Sequence, residues 1–148
     1  MALAATIGGD GCALVVRVSG YEWPQLESGA DANWLNGEVE LTASTNGHFS
    51  ARRVVSLRSD ELLRFRDQIA TVVESLDGEA ALDHMEQQFG CTARLKRGVG
   101  ELEAFVREEL GAELRVTSVR TDQSYLQLSL QELDAVVATF PVKGDPLE

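Results

Sequence analysis

Phe49-Ser50-Ala51-Arg52-Arg53-Val54-Val55-Ser56-Leu57-Arg58-Ser59-Asp60-Glu61-Leu62 carries the chain from one kind of structure into another. Asn46-Gly47 just before it is a strong β-hairpin signal, so Phe49 to Leu57 reads as a strand returning from that turn. Ser59 is a residue type that caps helices, and Asp60 and Glu61 sit favourably at the positive end of the helix dipole. Leu62, Phe65, Ile69, Val72, Val73 and Leu76 then recur at helical spacing and define one apolar stripe. Asp77-Gly78 closes the segment, with a glycine suited to the left-handed position that follows a helix.

On the N-terminal side, Ala2 to Ile7 reads as a strand, Gly8-Gly9-Asp10-Gly11 as a turn and Cys12 to Val18 as the hairpin partner. Leu14, Val16 and Val18 share one face of that partner, and Ala13, Val15 and Arg17 the other. No Lys-Ser/Thr pair and no helix follow the glycines, so they form a turn and not a phosphate loop. A further strand runs from Leu35 to Ser44, with Val39, Leu41 and Ala43 opposed to Glu38, Glu40 and Thr42.

On the C-terminal side, Ala80 to Gln87 and Cys91 to Arg97 read as two strands. Leu102 to Arg107 and Leu114 to Arg120 make another pair around Glu108-Glu109-Leu110-Gly111, although Leu102 to Leu110 alone also fits a helix. A last helix ends at Phe140-Pro141, with Leu130, Leu133, Val136, Val137 and Phe140 as its apolar stripe. Ser129 and Glu132 have capping-box spacing, which starts this helix there, or a turn earlier if Tyr125 to Leu128 is helical as well.

The order is four strands, a helix, four strands, a helix. It predicts an α+β fold: a mostly antiparallel β-sheet of about seven to eight strands with two principal helices packed on one face. The expected core comprises Leu14, Val16, Val39, Leu41, Leu62, Phe65, Ile69, Val72, Leu95, Leu133, Val137 and Phe140. Val55-Ser56-Leu57 and Leu128-Ser129-Leu130 hint at an internal duplication, on a match too short to carry it.

The 148 residues are expected to form a single domain over 1–146, and Leu147-Glu148 has the look of a cloning scar. A hydrophobic fraction of 44% with 25% charged residues is that of a folded chain and argues against disorder. The formal net charge of −11 disfavours nucleic acid and anionic membranes as direct partners, and favours a basic protein or simple solubility. Cys12 and Cys91 form no CxxC pair and read as small buried thiols of a reducing compartment. Met1 to Ile7 has no basic leader region, and no window reaches the length of a membrane span; a cytoplasmic location is expected.

The inventory for catalysis is thin. His48 and His84 share no metal-ligand spacing with each other or with the cysteines, and both read as surface or edge histidines. No nucleophile elbow, zinc-protease helix or Walker loop is present, so no catalytic residue, metal or cofactor is expected. What stands out is an acidic, aromatic stretch without Lys or Arg between Arg17 and Arg52. Its candidates for partner binding are Glu22, Trp23, Glu27, Asp31, Glu38 and Glu40, while Trp34, which opens a strand, is expected in the core. A second acidic stretch supplies Glu79, Asp83 and Glu86.

Gly20-Tyr21-Glu22-Trp23-Pro24, followed by Asp31-Ala32-Asn33-Trp34-Leu35 opening a strand, resembles the immunity proteins of the WapI type, which neutralise the toxic C-terminal domains of bacterial polymorphic toxins. Leu62 in its capped helix, Leu82-Asp83-His84-Met85-Glu86 with Phe89, Asp122-Gln123-Ser124-Tyr125-Leu126 and the closing Phe140-Pro141 also fit, in order and over nearly the whole chain. The resemblance implies a last helix starting near Ser124, no catalytic residues, and a cognate toxin domain as partner. A small enzyme or a general protein-binding adaptor are the alternatives that the residues themselves leave open.

Overall fold

Alternation of apolar and polar residues becomes eight strands and helical periodicity becomes two helices in the computed structural model, which describes residues 2–147. The strands are β1 (Leu3–Gly9), β2 (Cys12–Tyr21), β3 (Trp34–Ala43), β4 (Phe49–Arg58), β5 (Gly78–Asp83), β6 (Phe89–Lys96), β7 (Val99–Arg107) and β8 (Glu113–Asp122). Helix α1 (Ser59–Ser75) follows β4, and α2 (Gln123–Thr139) follows β8. A single 3-10 turn, Asp31–Asn33, leads into β3. Glu148, half of the expected cloning scar, lies outside the described residues.

The α+β class stands, with every strand antiparallel to its neighbour, but the strands divide into two sheets, in order β1-β2-β3-β4 and β5-β6-β7-β8. The division follows from where the helices lie. Gln68 on α1 accepts the amide of Ala81 on β5 through its Oε1 at 2.8 Å, so a helix occupies the edge at which β5 would meet another strand. On β1, Glu132 of α2 accepts the amide of Thr6 at 2.8 Å, and the Ser129 hydroxyl donates to the Thr6 carbonyl at 2.7 Å. Ser129 and Glu132 are therefore docking residues and not a capping box. The N-cap of α2 is Asp122, whose carboxylate accepts the Tyr125 amide at 3.2 Å, and the helix starts at Gln123, about two turns earlier than the box suggests and one residue from the Ser124 start that the resemblance implied.

Gln68 and Glu132 are each the tenth residue of a seventeen-residue helix, and Ala81 and Thr6 are each the fourth residue of their strands. In the same alignment Leu62 matches Leu126, Phe65 matches Ser129, Ile69 matches Leu133 and Val72 matches Val136, and all eight are buried. The chain is thus two ββββα units whose helices correspond residue for residue, each lending its helix to the first strand of the other. The similarity of Val55-Ser56-Leu57 to Leu128-Ser129-Leu130 plays no part in this, since the first lies in β4 and the second in α2.

One apolar cluster joins both sheets and both helices. Eleven of the twelve expected core residues are buried in it, and Val137 packs against it half-buried. Two local expectations fail. Arg58, extended at φ −103°, holds the N-cap position of α1, and Glu61 reaches back to accept its amide at 2.9 Å. At the other end the left-handed residue is Leu76, at φ 65°, and Gly78 already belongs to β5. The Leu76 amide donates to Val72 at 2.8 Å and its carbonyl accepts from Gly98 at 2.8 Å, and these bonds hold a conformation that a glycine adopts more readily. Where the units meet, a Cβ on Gly9 would lie 2.5 Å from the Arg120 carbonyl oxygen, so only glycine admits the hydrogen bond from Asp10 N–H to that oxygen at 2.8 Å.

Phe65 and Ile69 lie fully buried in the stripe of α1. Replacing either by Ala is expected to cost about 2–5 kcal/mol through lost transfer energy and the cavity left behind, measurable by denaturant unfolding.

Candidate functional site

The acidic, aromatic stretch is ordered by Asn33, which is fully buried. Its Nδ2 donates to the carbonyls of Gly29 and Lys143, each at 2.9 Å. Its Oδ1 accepts from the Ser59 hydroxyl and from the Lys143 amide, each at 2.7 Å. All four capacities of the carboxamide are used, which lets a polar side chain sit in the interior without penalty. They tie the loop after β2, the start of α1 and the segment after α2 into one knot. Ser59, expected as a cap, spends its hydroxyl here instead.

Tail residues complete the strap. The Lys143 ammonium donates to the carbonyls of Pro24 and Leu26 at 3.3 and 3.0 Å and lies 3.8 Å from the centre of the Tyr21 ring. The Tyr21 hydroxyl donates to the Pro141 carbonyl at 2.6 Å, and its ring meets Phe140 edge-on. Arg58 is buried, donating to Asp60 at 2.9 Å and to the carbonyls of Ala30 and Pro146 at 3.1 and 2.8 Å. Its guanidinium lies over the Trp34 ring, which is half-buried and not the core residue expected.

A cleft of about 480 Å³ opens beside this knot at the N-terminal end of α1, lined by Ala30, Arg58, Asp60, Glu61, Arg64, Asp83, His84 and Met85 among others. Glu61 forms its floor. One carboxylate oxygen accepts from Arg58 N–H and the other from Met85 N–H at 2.6 Å, while burial pushes the carboxyl above its ordinary range. His84 is buried, contrary to expectation: its Nδ1 accepts from the Gln88 amide at 3.2 Å and its Nε2 donates to the Ser56 carbonyl at 2.7 Å. That pair of bonds fixes the tautomer and uses both ring nitrogens in structure.

The predicted partner-binding residues sort by what they already hold. Glu38 and Glu40 on β3 face Arg17 of β2 and Arg52 of β4, with contacts of 3.2 to 3.8 Å. Hydrogen bonding from Arg52 holds Glu40 below its usual range. Glu79 pairs with Arg94 at 2.7 Å. Glu22 accepts from the Ser56 hydroxyl. Glu27, Asp31, Asp83 and Glu86 are exposed and make no ion pair among the described residues. Of these four, Asp83 lines the cleft, while Asp31 and Glu86 follow the lining residues Ala30 and Met85 in the chain. Trp23 is 47% exposed and does not anchor the loop in the core.

Asn33, Arg58, Glu61 and His84 organise the site; the sequence pattern marks Glu61 only as a favourable helix-start charge and His84 as a surface or edge histidine, and gives Arg58 no role. The signal available for Asn33 was its place in the Asp31-Ala32-Asn33-Trp34 motif. Both cysteines are buried and free, and burial pushes the Cys91 thiol up to about 12, which leaves no nucleophilic thiolate at neutral pH. Among the described residues no three His, Cys, Asp or Glu side chains are grouped to hold a metal ion, and no helix is long and apolar enough to cross a membrane.

The family model of the WapI-like immunity proteins matches residues 5–141, and the chain belongs to that family. No curated protein matches it.

Asn33→Ala is expected to leave two donors and two acceptors without their partner, at a cost of about 2–4 kcal/mol, and to expose the segment after Phe140 to proteolysis. Glu61 gives a pH signature. Its folded-state pKa lies above the ordinary 4.5, so its stabilising contribution is present below that value and is lost as pH rises through the folded value. The unfolding free energy of the native chain minus that of Glu61→Gln is therefore expected to fall as pH rises above the ordinary carboxylate value of 4.5.

Proposed function

We propose that this chain binds a cognate bacterial polymorphic-toxin domain in the cytoplasm and blocks it without catalysis. The observation that carries the reading is membership of the immunity family over residues 5–141. The charge supports a basic partner. With a formal net charge of −11, the chain attracts a cationic domain over long range, and a nuclease, whose phosphate site is cationic, is the toxin class that fits best.

Glu27, Asp31, Asp83 and Glu86 are the carboxylates free to steer such a partner. Trp23, exposed beside them in the chain, offers an apolar contact of the kind that anchors interfaces. Glu38, Glu40 and Glu79 contribute less, because neighbouring arginines already offset their charge. Glu22 acts through the loop, by holding Ser56.

The test uses the C-terminal toxin domain encoded beside this chain's gene, measured by surface-binding kinetics at low and high salt. Glu27→Lys, Asp31→Lys and Asp83→Lys together are expected to slow association about tenfold at low salt, to flatten its salt dependence and to leave the dissociation rate nearly unchanged. An unsubstituted chain that neither binds the domain nor protects cells expressing it would remove the immunity reading. Unchanged association in the triple variant would remove the acidic surface alone.

A further inference from the structure

We infer that the open edge of β4, over Ser50 to Val54, receives an extended segment of the toxin domain as a fifth strand of the first sheet, an inference that rests on the immunity reading above. The direction of the backbone is fixed by two bonds. The Ser56 carbonyl is taken by His84 and the Arg58 amide by Glu61, so the even-numbered residues of β4 turn their amides and carbonyls away from β3. In an antiparallel ladder this alternation runs along the whole strand.

The other three edges are covered or interrupted. Glu132 and Ser129 seal β1, and Gln68 seals β5. Strand β8 is broken by a bulge, with Ser118 at φ 55° and a register shift opposite Leu102 to Ala104. Bulges and covering side chains are the devices by which proteins stop edges from pairing. On β4 the sealing stops at Ser56. The Val54 carbonyl accepts from the Nε of Arg53 at 3.3 Å, and the same guanidinium donates to the Arg107 carbonyl across the groove at 2.5 Å, but among the described residues nothing caps the amides of Ser50, Arg52 and Val54.

The same segment is apolar where it is open: Phe49 is 61% and Val54 75% exposed. A groove of about 320 Å³ runs beside it, bounded across by Val106, Arg107 and Leu114. Charge identifies the occupant. Across the outer face, Arg17 on β2, Glu38 and Glu40 on β3 and Arg52 on β4 alternate in sign, and the series ends on Arg52 at the open edge. The next strand is thus one that presents a carboxylate beside Arg52 and an apolar side chain beside Val54. A second copy of β4 does not qualify, because Phe49–Arg58 holds three arginines and no acid.

Val54→Pro tests this, since its amide faces away from β3 and a proline there removes no rung of the ladder. Against the toxin domain the variant is expected to dissociate about tenfold faster or more, with association and its salt dependence retained. In the native chain, binding is expected to slow hydrogen exchange at Ser50, Arg52 and Val54, a measurement that decides the matter even if the proline variant fails to fold. Exchange at those amides unchanged by the toxin domain, or a folded Val54→Pro chain with the native dissociation rate, overturns the edge and leaves immunity standing. Protection there that grows with this chain's own concentration, without toxin, assigns the edge to self-association and likewise overturns it. A native chain that does not bind the domain removes the parent reading and this one with it.

Discussion

The amides of Thr6 and Ala81 set the terms on which this fold exists. Each sits on the first strand of a four-stranded meander, where no other strand is available to receive it, and an uncovered edge is a template for pairing with another chain. Glu132 and Gln68 supply the missing acceptors from equivalent places on two helices. The supply is crossed, since α1 follows the first meander and seals the second while α2 does the reverse. Neither half therefore completes its own edge. The helices touch through the Arg66–Asp134 pair at 2.6 Å, and the residues beneath them merge into one cluster, so burial of apolar surface and satisfaction of backbone polarity are achieved by the same docking step.

The loop between β2 and β3 depends on a second polar arrangement. A stretch of twelve residues between strands has little apolar surface of its own to bury, and such segments are ordinarily mobile. Here the tail after α2 lies against it, and Asn33, Lys143 and Arg58 convert its carbonyls from solvated groups into fixed ones. Arg58 is buried as a charge and is accordingly paired with Asp60, while two carbonyls take up further donors of the guanidinium. Ala30 and Pro146, which both line the cleft, are thereby held by the same guanidinium.

Strands, hairpins and both helices were legible in the sequence because they rest on local patterns: alternation around Leu14 and Val39, the Asn46-Gly47 turn and the stripe from Leu62 to Leu76. What escaped was decided by distant partners. Ser59 looks like a cap until Asn33, distant in sequence, takes its hydroxyl. Ser129 and Glu132 have the spacing of a capping box, yet Thr6 claims both. Leu76 takes the left-handed position in place of the glycine two residues on, because the carbonyl of Val72 and the amide of Gly98 complete its bonding there. His84 appears polar and superficial in sequence, but the edge of β4 draws it inside. The division into two sheets was equally hidden, since it depends on which edges the helices occupy.

Strand register also changes what the net charge means. A run without Lys or Arg between Arg17 and Arg52 looks uniformly acidic, yet pairing of β2, β3 and β4 brings those two arginines onto Glu38 and Glu40. The surplus charge consequently resides on carboxylates that no arginine faces, such as Glu27, Asp31, Asp83 and Glu86. These are exposed, and an exposed charge contributes about 0–1 kcal/mol to a single contact in salt solution. Such groups govern how quickly a partner arrives far more than how long it stays. Persistence in a complex has to come from surface that is desolvated on contact, and on this chain the exposed Phe49, Val54 and Trp23 and the uncapped backbone of β4 are of that kind. In the encounter proposed above, the exposed carboxylates and the open edge of β4 therefore act at different stages.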